Sequence, residues 1–145
     1  MKKIVLVIVA LVAVLTLHAE EKKWSQDYTQ VTFNKPASEL YLIYFSGSDW
    51  CKPCIKMKAE LLDTDAFKQY AKDFNLYQAD FPYRTKQEKN LKKFNESLAD
   101  RYDKDGQFPY LVVVNGKGEK IYATGYKDVA VNDFIKLLDD GIHQK

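Results

Sequence analysis

The sequence predicts an α/β domain with a central mixed β-sheet flanked by helices on both faces. Two continuous apolar runs, Leu40–Phe45 (LYLIYF) and Tyr110–Val114 (YLVVV), are typical of strands that are buried on both sides. Between them, segments with helical spacing of apolar residues alternate with a further strand pattern, which indicates helical crossovers. Asn115–Gly118 (NGKG) is a hairpin signal, so the last two strands should be antiparallel.

The first half of the domain contains three predicted strands and two helical segments. Tyr28–Phe33 (YTQVTF) alternates and predicts a first strand, ahead of the buried strand that begins at Leu40. Apolar residues recur at helical spacing over Lys56–Leu62, and Asp63–Asp65 (DTD) interrupts them and can cap a second helix. Phe74–Ala79 (FNLYQA) alternates again and predicts the next strand.

The second half predicts a long helix, a hairpin and a closing helix. Arg84–Tyr102 is highly charged, with apolar residues at steps of three, four and four, the pattern of an amphipathic helix. Glu119–Thr124 (EKIYAT) returns from the hairpin turn, and Val131–Leu138 (VNDFIKLL) has one apolar helical face. The predicted order is therefore β, β-α, β-α, β-β-α.

The N-terminal residues have the pattern of a secretory signal peptide. Met1–Lys3 is basic, and Ile4–Leu17 runs fourteen residues without a charge, which is short for a membrane span of about 20 residues. We predict a signal peptide over residues 1–19, an N-terminal tail over 20–27 and one domain over 28–145. Export is expected, with the periplasm as the destination; secretion and an uncleaved signal anchor remain alternatives.

The charge balance does not indicate a nucleic-acid partner. The sequence has 22 Lys and Arg against 20 Asp and Glu. The predicted leader contains two of the lysines, Lys2 and Lys3, and no Asp or Glu. The rest of the chain therefore has 20 basic and 20 acidic residues and is electrically neutral. A neutral domain lacks the basic surplus that phosphate binding requires. We therefore expect protein partners and no nucleic acid.

The two cysteines of the sequence, Cys51 and Cys54, could form a redox pair, half of a metal site or a structural staple. A structural metal site needs four ligands, and the two histidines are His18, in the predicted leader, and His143, near the C-terminus. A disulfide that closes so short a loop removes little entropy from the unfolded chain. We therefore expect a redox pair, no metal and no organic cofactor.

The position of the pair favours Cys51 as the nucleophile and Cys54 as the resolving thiol. The pair follows a buried strand and a turn and opens a helix, where unpaired N–H groups and the helix dipole favour a thiolate. Lys52 adds a cation, and Pro53 suits the first helical turn because no N–H is needed there. We expect Lys52 and Pro53 to tune the pKa of Cys51 to below the free value of about 8.5.

Trp50 to Cys54 (WCKPC), after an apolar strand, resembles the W-C-x-P-C active site of thioredoxins, with Lys52 where the cytosolic proteins have glycine. The resemblance extends over about residues 28–140 and implies a thioredoxin fold and thiol–disulfide exchange with protein substrates. In that family a cis-proline opens a later strand beside the two sulfurs, and Pro109, preceded by Phe108, matches it. The resemblance assigns Trp50, Phe108 and Pro109 to substrate binding.

The sequence departs from the thioredoxin pattern beneath the cysteines. Thioredoxins have a buried acid there that helps to deprotonate the resolving thiol, and the matching position here is Tyr44, whose ordinary pKa of about 10 is too high for that work. Glu60, Lys58 or water remain alternatives as proton acceptor. Asp49 either ends the turn, which we favour, or tunes Cys51.

The connection from Asp80 to Pro109 is longer than in thioredoxins. Its predicted helix is rich in lysine, and a solvated helix face is the favoured interpretation. A docking surface for an acidic partner protein is the alternative. The lysines concerned are Lys86, Lys89, Lys92 and Lys93.

These observations predict an exported protein-disulfide reductase or isomerase with a redox potential between about −270 and −180 mV. We expect a monomer that takes electrons from a membrane-bound or soluble donor. Two alternatives remain open. One is a specialised reductant for a single client, such as apocytochrome c or another oxidoreductase; the other is a non-catalytic peptide-binding module.

Overall fold

Four strands form one mixed sheet in the order β2-β1-β3-β4. In the computed structural model, which describes residues 22–144, the strands are β1 (Leu40–Ser46), β2 (Asn75–Asp80), β3 (Tyr110–Asn115) and β4 (Lys120–Gly125). The central strand β1 pairs in parallel with β2 and antiparallel with β3, and β3 pairs antiparallel with β4. The predicted mixed sheet and its closing hairpin are confirmed.

Helices cover both faces of this sheet, as predicted. Three of them, α1, α2 and α4, pack on one face, and α3 packs on the other. Helix α1 continues into a π-helical turn, and a 3-10 turn follows α2. The bounds are α1 Lys52–Met57 with the π turn Lys58–Leu62, α2 Asp65–Tyr70 with the 3-10 turn Ala71–Asp73, α3 Lys89–Tyr102 and α4 Val131–His143.

Strand β1 lies between the two layers, which explains its uninterrupted apolar sequence. Leu42 and Tyr44 belong to the core under α1, α2 and α4, whereas Tyr41, Ile43 and Phe45 belong to the core under α3. All five side chains are almost fully buried. Because successive side chains of a strand point to opposite faces, only a strand that is covered on both sides needs such a run.

The prediction of a strand over Tyr28–Phe33 is wrong. Tyr28–Gln30 form a short 3-10 helix instead. The carboxylate of Asp27 accepts hydrogen bonds from the Thr29 backbone N–H (3.1 Å) and hydroxyl (2.6 Å), and these local bonds compete with strand pairing. Val31 is nevertheless buried, so the alternating pattern reflects side-chain packing without a strand.

The part of the expected N-terminal tail that the structure describes, residues 22–27, packs against the domain. The Ser25 backbone N–H donates to the carbonyl of Leu76 (3.1 Å), and Gln78 N–H donates to the carbonyl of Ser25 (2.8 Å). The Trp24 ring lies 5.7 Å from that of Tyr44. The packed chain therefore begins before residue 28.

The predicted leader, residues 1–19, lies outside the described residues. Within residues 22–144, none of the helices has the length and apolar character needed to cross a membrane. The longest, α3, has 14 residues and many charges.

Helix α3 begins at Lys89, later than the predicted Arg84. The Glu88 carboxylate caps the helix by accepting hydrogen bonds from the N–H groups of Asn90 (2.9 Å) and Leu91 (2.8 Å).

Candidate active site

A tight turn carries the chain from the end of β1 into α1. The carbonyl of Gly47 accepts hydrogen bonds from the backbone N–H groups of Trp50 (3.2 Å) and Cys51 (2.8 Å). Cys51 has extended backbone angles and stands at the N-cap of the helix, where its own carbonyl accepts from Ile55 N–H (3.1 Å). The turn therefore places the first cysteine at a helix start, as the sequence predicts.

Cys51 and Cys54 form a disulfide, with their Cα atoms 5.2 Å apart. The backbone N–H of Cys54 donates a hydrogen bond to Cys51 Sγ (3.2 Å), so an unpaired donor of the first helical turn is aimed at this sulfur. Such a donor favours the thiolate when the pair is reduced. Both cysteines are buried, Cys51 at 4% and Cys54 at 1% exposure.

Lys52 and Pro53 fill the first turn of α1. Both are exposed, and Pro53 is accommodated because the N–H groups of a first helical turn need no intrahelical acceptor. Their assignment to pKa tuning stays a prediction. What the fold provides is their position beside Cys51, at the positive end of the helix dipole.

Two of the three residues assigned to substrate binding, Trp50 and Phe108, are in ring contact, and Phe108 packs against the core cluster that contains both cysteines. The rings of Trp50 and Phe108 are 5.6 Å apart, edge to face, and the Phe108–Pro109 peptide bond, just ahead of β3, is cis. Phe81 packs on Phe108 at 5.4 Å, and its carbonyl accepts from Trp50 Nε1 (2.7 Å). Trp50 is still 45% exposed, so its indole offers an apolar surface to a partner.

Gly47 leaves room for the indole of Trp50, which lies directly on it. A Cβ atom at this position would overlap the five- and six-membered rings of Trp50. The φ angle of Gly47 is not in the left-handed region, so the requirement is close approach and not backbone conformation. The glycine thereby fixes where the indole lies.

Beneath Cys54, the buried hydroxyl of Tyr44 donates a hydrogen bond to the Cys54 carbonyl (2.8 Å). Burial raises the pKa of Tyr44 well above its ordinary value, and the nearby charge of Asp80 raises it further. The phenol therefore stays neutral at physiological pH and supports the helix start without accepting a proton.

A pocket of about 270 Å³ adjoins Cys54. Lys58, one of the candidate proton acceptors, lines it and forms an ion pair with Asp63 (2.7 Å), which also lines it. Glu60, the other candidate, instead accepts a hydrogen bond from the Tyr126 hydroxyl (3.2 Å). The pocket is large enough to hold several water molecules next to Cys54.

Asp49 holds a distant loop to the active-site turn. Its carboxylate accepts hydrogen bonds from the backbone N–H groups of Tyr83, Arg84 and Thr85, each at 2.8 Å. These bonds, that of Tyr83 foremost, lower the pKa of Asp49. The sequence predicts a role for Asp49 in ending the turn and gives no sign of this one, because the donors lie 34 to 36 residues away and no local pattern marks them.

Within residues 22–144, no cluster of three or more His, Cys, Asp or Glu side chains could hold a metal ion. The chemistry that the site can support is that of the cysteine pair itself. A reduced Cys51 thiolate can attack a disulfide, and Cys54 lies close enough to displace the partner.

Comparison with known proteins agrees with this site. The family model described as a thioredoxin-like domain matches residues 26–142. The chain belongs to the thioredoxin-like domain family. Within this family, the chain is 28% identical over 110 residues to the disulfide bond reductase DsbH of Chlamydia pneumoniae. The aligned region covers 75% of this chain and 66% of DsbH.

One further relative and one solved structure support the same assignment. The thioredoxin-related protein DsbJ of Chlamydia pneumoniae is 28% identical over 118 residues, or 76% of this chain and 34% of DsbJ. A solved structure of a DsbH oxidoreductase superposes with a TM-score of 0.69 at 26% identity and covers 74% of both chains. The thioredoxin fold predicted from the sequence is therefore confirmed, and the chain spans just under two thirds of DsbH and about one third of DsbJ.

Proposed function

We propose that this protein is a thiol–disulfide oxidoreductase that reduces or isomerises disulfide bonds of exported proteins. The observation that carries the proposal is the disulfide at the start of α1, where the Cys54 N–H points at Cys51 Sγ. The similarity to DsbH, a disulfide bond reductase, supports the same chemistry. The thioredoxin-like family membership supports it as well.

The reaction begins with the reduced protein. The Cys51 thiolate attacks one sulfur of a substrate disulfide; a bond between Cys51 and that sulfur forms, and the other substrate sulfur leaves as a thiolate. Cys54, after losing its proton to solvent, then attacks Cys51 Sγ. The Cys51–Cys54 disulfide forms, and the second substrate sulfur leaves as a thiolate. The substrate has gained two electrons, both thiolates take protons from solvent, and a donor dithiol must reduce the pair again.

Trp50, Phe108 and Pro109 are the residues that we assign to substrate positioning. Trp50 and Phe108 form an aromatic wall next to Cys51, and the Phe108–Pro109 segment leads directly into β3. A substrate chain that lies along this wall places its disulfide over Cys51. We propose a potential between about −270 and −180 mV, with Lys52 raising it relative to a glycine at that position.

We further propose that the protein acts outside the cytoplasm, most simply in the periplasm, as a monomer. The basic and apolar pattern of residues 1–19 supports export. After each turnover the Cys51–Cys54 disulfide has to be reduced again by an external thiol donor. A membrane-bound or soluble dithiol donor fits this requirement.

Reduction of insulin with dithiothreitol as the donor tests the proposal. The protein should accelerate the reaction, and Cys51→Ser should abolish the acceleration, while Cys54→Ser should accumulate a mixed disulfide. Absence of acceleration by the unaltered protein would contradict the proposal and favour a peptide-binding module. Trapping with Cys54→Ser in cells of the source organism then separates one dominant client from a broad set of substrates.

A further inference from the structure

The segment Phe81–Glu88, here called the clamp loop, is fastened beside the active site at three points. Trp50 Nε1 donates to the carbonyl of Phe81 (2.7 Å), and the Asp49 carboxylate binds the backbone of residues 83–85. Gln87 Nε2 donates to the carbonyl of Asp80 at the end of β2 (3.0 Å). The loop is therefore held to the two residues that directly precede Cys51.

The bonds from Trp50 and Asp49 use the backbone of the clamp loop, and its central side chains are exposed. Tyr83 is 86% exposed, the highest value among the exposed large apolar residues. Arg84 and Lys86 are exposed as well. Tyrosine and arginine are enriched among the residues that contribute most to protein–protein binding. A loop that is already fixed also loses little conformational entropy when a partner binds.

The clamp loop and the first two turns of α3 carry four exposed cations within ten residues of sequence, here called the basic surface: Arg84, Lys86, Lys89 and Lys93. Lys89 and Lys93 are four residues apart, on one exposed helix face. In the described part of the chain, Arg84, Lys86, Lys89 and Lys93 form no ion pair, whereas Lys92 pairs with Glu96 (3.8 Å).

Two carboxylates of this region, those of Asp49 and Glu88, are engaged with backbone N–H groups, and a third, that of Glu96, pairs with Lys92. Asp49 accepts from the clamp loop, and Glu88 accepts from the start of α3. Neither is paired with the cations of the surface, so the four positive charges remain available to a partner. An acidic segment is the chemistry that complements them.

We propose that the clamp loop and the start of α3 dock an acidic segment of the protein whose disulfide is exchanged at Cys51. The inference rests on the proposed function and adds the substrate class. A carboxylate-rich stretch next to the substrate disulfide pairs with the cations, and Tyr83 packs against its apolar atoms. The long connection between β2 and β3 thereby acts in substrate selection, beyond covering the sheet.

Two disulfide-linked peptides that differ only in their flanking residues test this inference. One has four Asp or Glu beside the disulfide and the other has four Ser or Gln; stopped-flow measurement of Trp fluorescence gives kcat/KM for each. The reduced protein should favour the acidic peptide about tenfold at low ionic strength, and about 0.5 M salt should remove the preference.

The variant Arg84→Glu/Lys86→Glu should lose the preference while retaining reduction of the neutral peptide. Its matched control is Lys117→Glu/Lys120→Glu, which changes the net charge equally at the hairpin end of the sheet, far from Cys51. The control should keep the preference. The variant Arg84→Gln/Lys86→Gln repeats the test by removing both positive charges without introducing acids. The salt dependence of the unaltered protein is an independent test that requires no variant.

Equal rates on the two peptides, or equal losses in both charge-reversed variants, would overturn the docking surface alone. Binding to vesicles of anionic phosphatidylglycerol through Arg84 and Lys86, without peptide preference, would also overturn it and assign the cations to a membrane surface. A protein that reduces neither peptide contradicts the proposed function, and the docking surface falls with it.

Discussion

Replacement of Gly47 by alanine should displace Trp50 and thereby loosen the wall of the active site. The added Cβ cannot coexist with the indole in its present position. Trp50 must then give up its hydrogen bond to the carbonyl of Phe81 (2.7 Å) and its edge-to-face contact with Phe108 (5.6 Å). The turn itself tolerates alanine, since the φ angle of Gly47 is not in the left-handed region.

The size of the effect follows from these contacts. The hydrogen bond contributes about 1 kcal/mol and the aromatic pair about 1 kcal/mol to the free energy of unfolding. Alanine in place of glycine restores about 0.5 kcal/mol, because it restricts the unfolded chain. The net loss is about 1.5 kcal/mol. It should lower the unfolding temperature by about 6 °C in a domain of roughly 120 residues.

Thermal and urea unfolding of a double-mutant cycle with Trp50→Ala provides the assay. In the Trp50→Ala background the indole is absent, so Gly47→Ala should be neutral or stabilise the protein by about 0.5 kcal/mol. The Gly47→Ala single variant should also show altered Trp fluorescence, since Trp50 moves into solvent. An equal destabilisation in both backgrounds would refute the reasoning, because the cost would then lie in the turn and not in the indole.

Further predictions concern the supports of the site. Tyr44→Phe removes the phenol hydrogen bond to the Cys54 carbonyl, which still accepts a hydrogen bond from the backbone N–H of Lys58. The variant should lower the free energy of unfolding, measured with urea, by about 1 kcal/mol. The pH profile of activity should stay unchanged, because the pKa of Tyr44 is raised and the phenol is neutral; a shifted profile would contradict this. Asp49→Asn should speed amide exchange at residues 83–85. The pKa of Asp49 is lower in the folded protein than its ordinary value of 3.8, so its charge stabilises the fold fully above that value. The difference in unfolding temperature between the variant and the unaltered protein should shrink below pH 3.8 and disappear as the pH falls through the lowered pKa. A difference that persists at low pH would contradict the charge-based clamp.

The fold and the cysteine site could be predicted because their signals are local. The apolar run of β1 is typical of a strand that is covered on both faces. The turn and helix patterns alone place Cys51 at the start of a helix, where the structure has it. The Asn115–Gly118 hairpin was equally clear, with Gly118 at a φ angle of 78°. Short-range patterns of this kind determine local backbone geometry directly.

The clamp loop could not be predicted because its causes are distant in sequence. Asp49 has the composition of an ordinary turn residue, and its three donors become visible only when β1 and β2 are paired. The failed strand at Tyr28–Phe33 has the opposite cause. There, the alternating pattern does not form a strand, because the Asp27 carboxylate accepts hydrogen bonds from nearby backbone N–H groups that a neighbouring strand would otherwise pair with.

The most direct test of the central claim is the pH dependence of alkylation of the reduced protein by iodoacetamide, with the modified cysteine located by mass spectrometry. We predict that Cys51 reacts first, with an apparent pKa below the free value of about 8.5, because the Cys54 N–H and the helix start favour its thiolate. Modification of Cys54 ahead of Cys51, or an apparent pKa at or above that value, would contradict the assignment of Cys51 as the nucleophile.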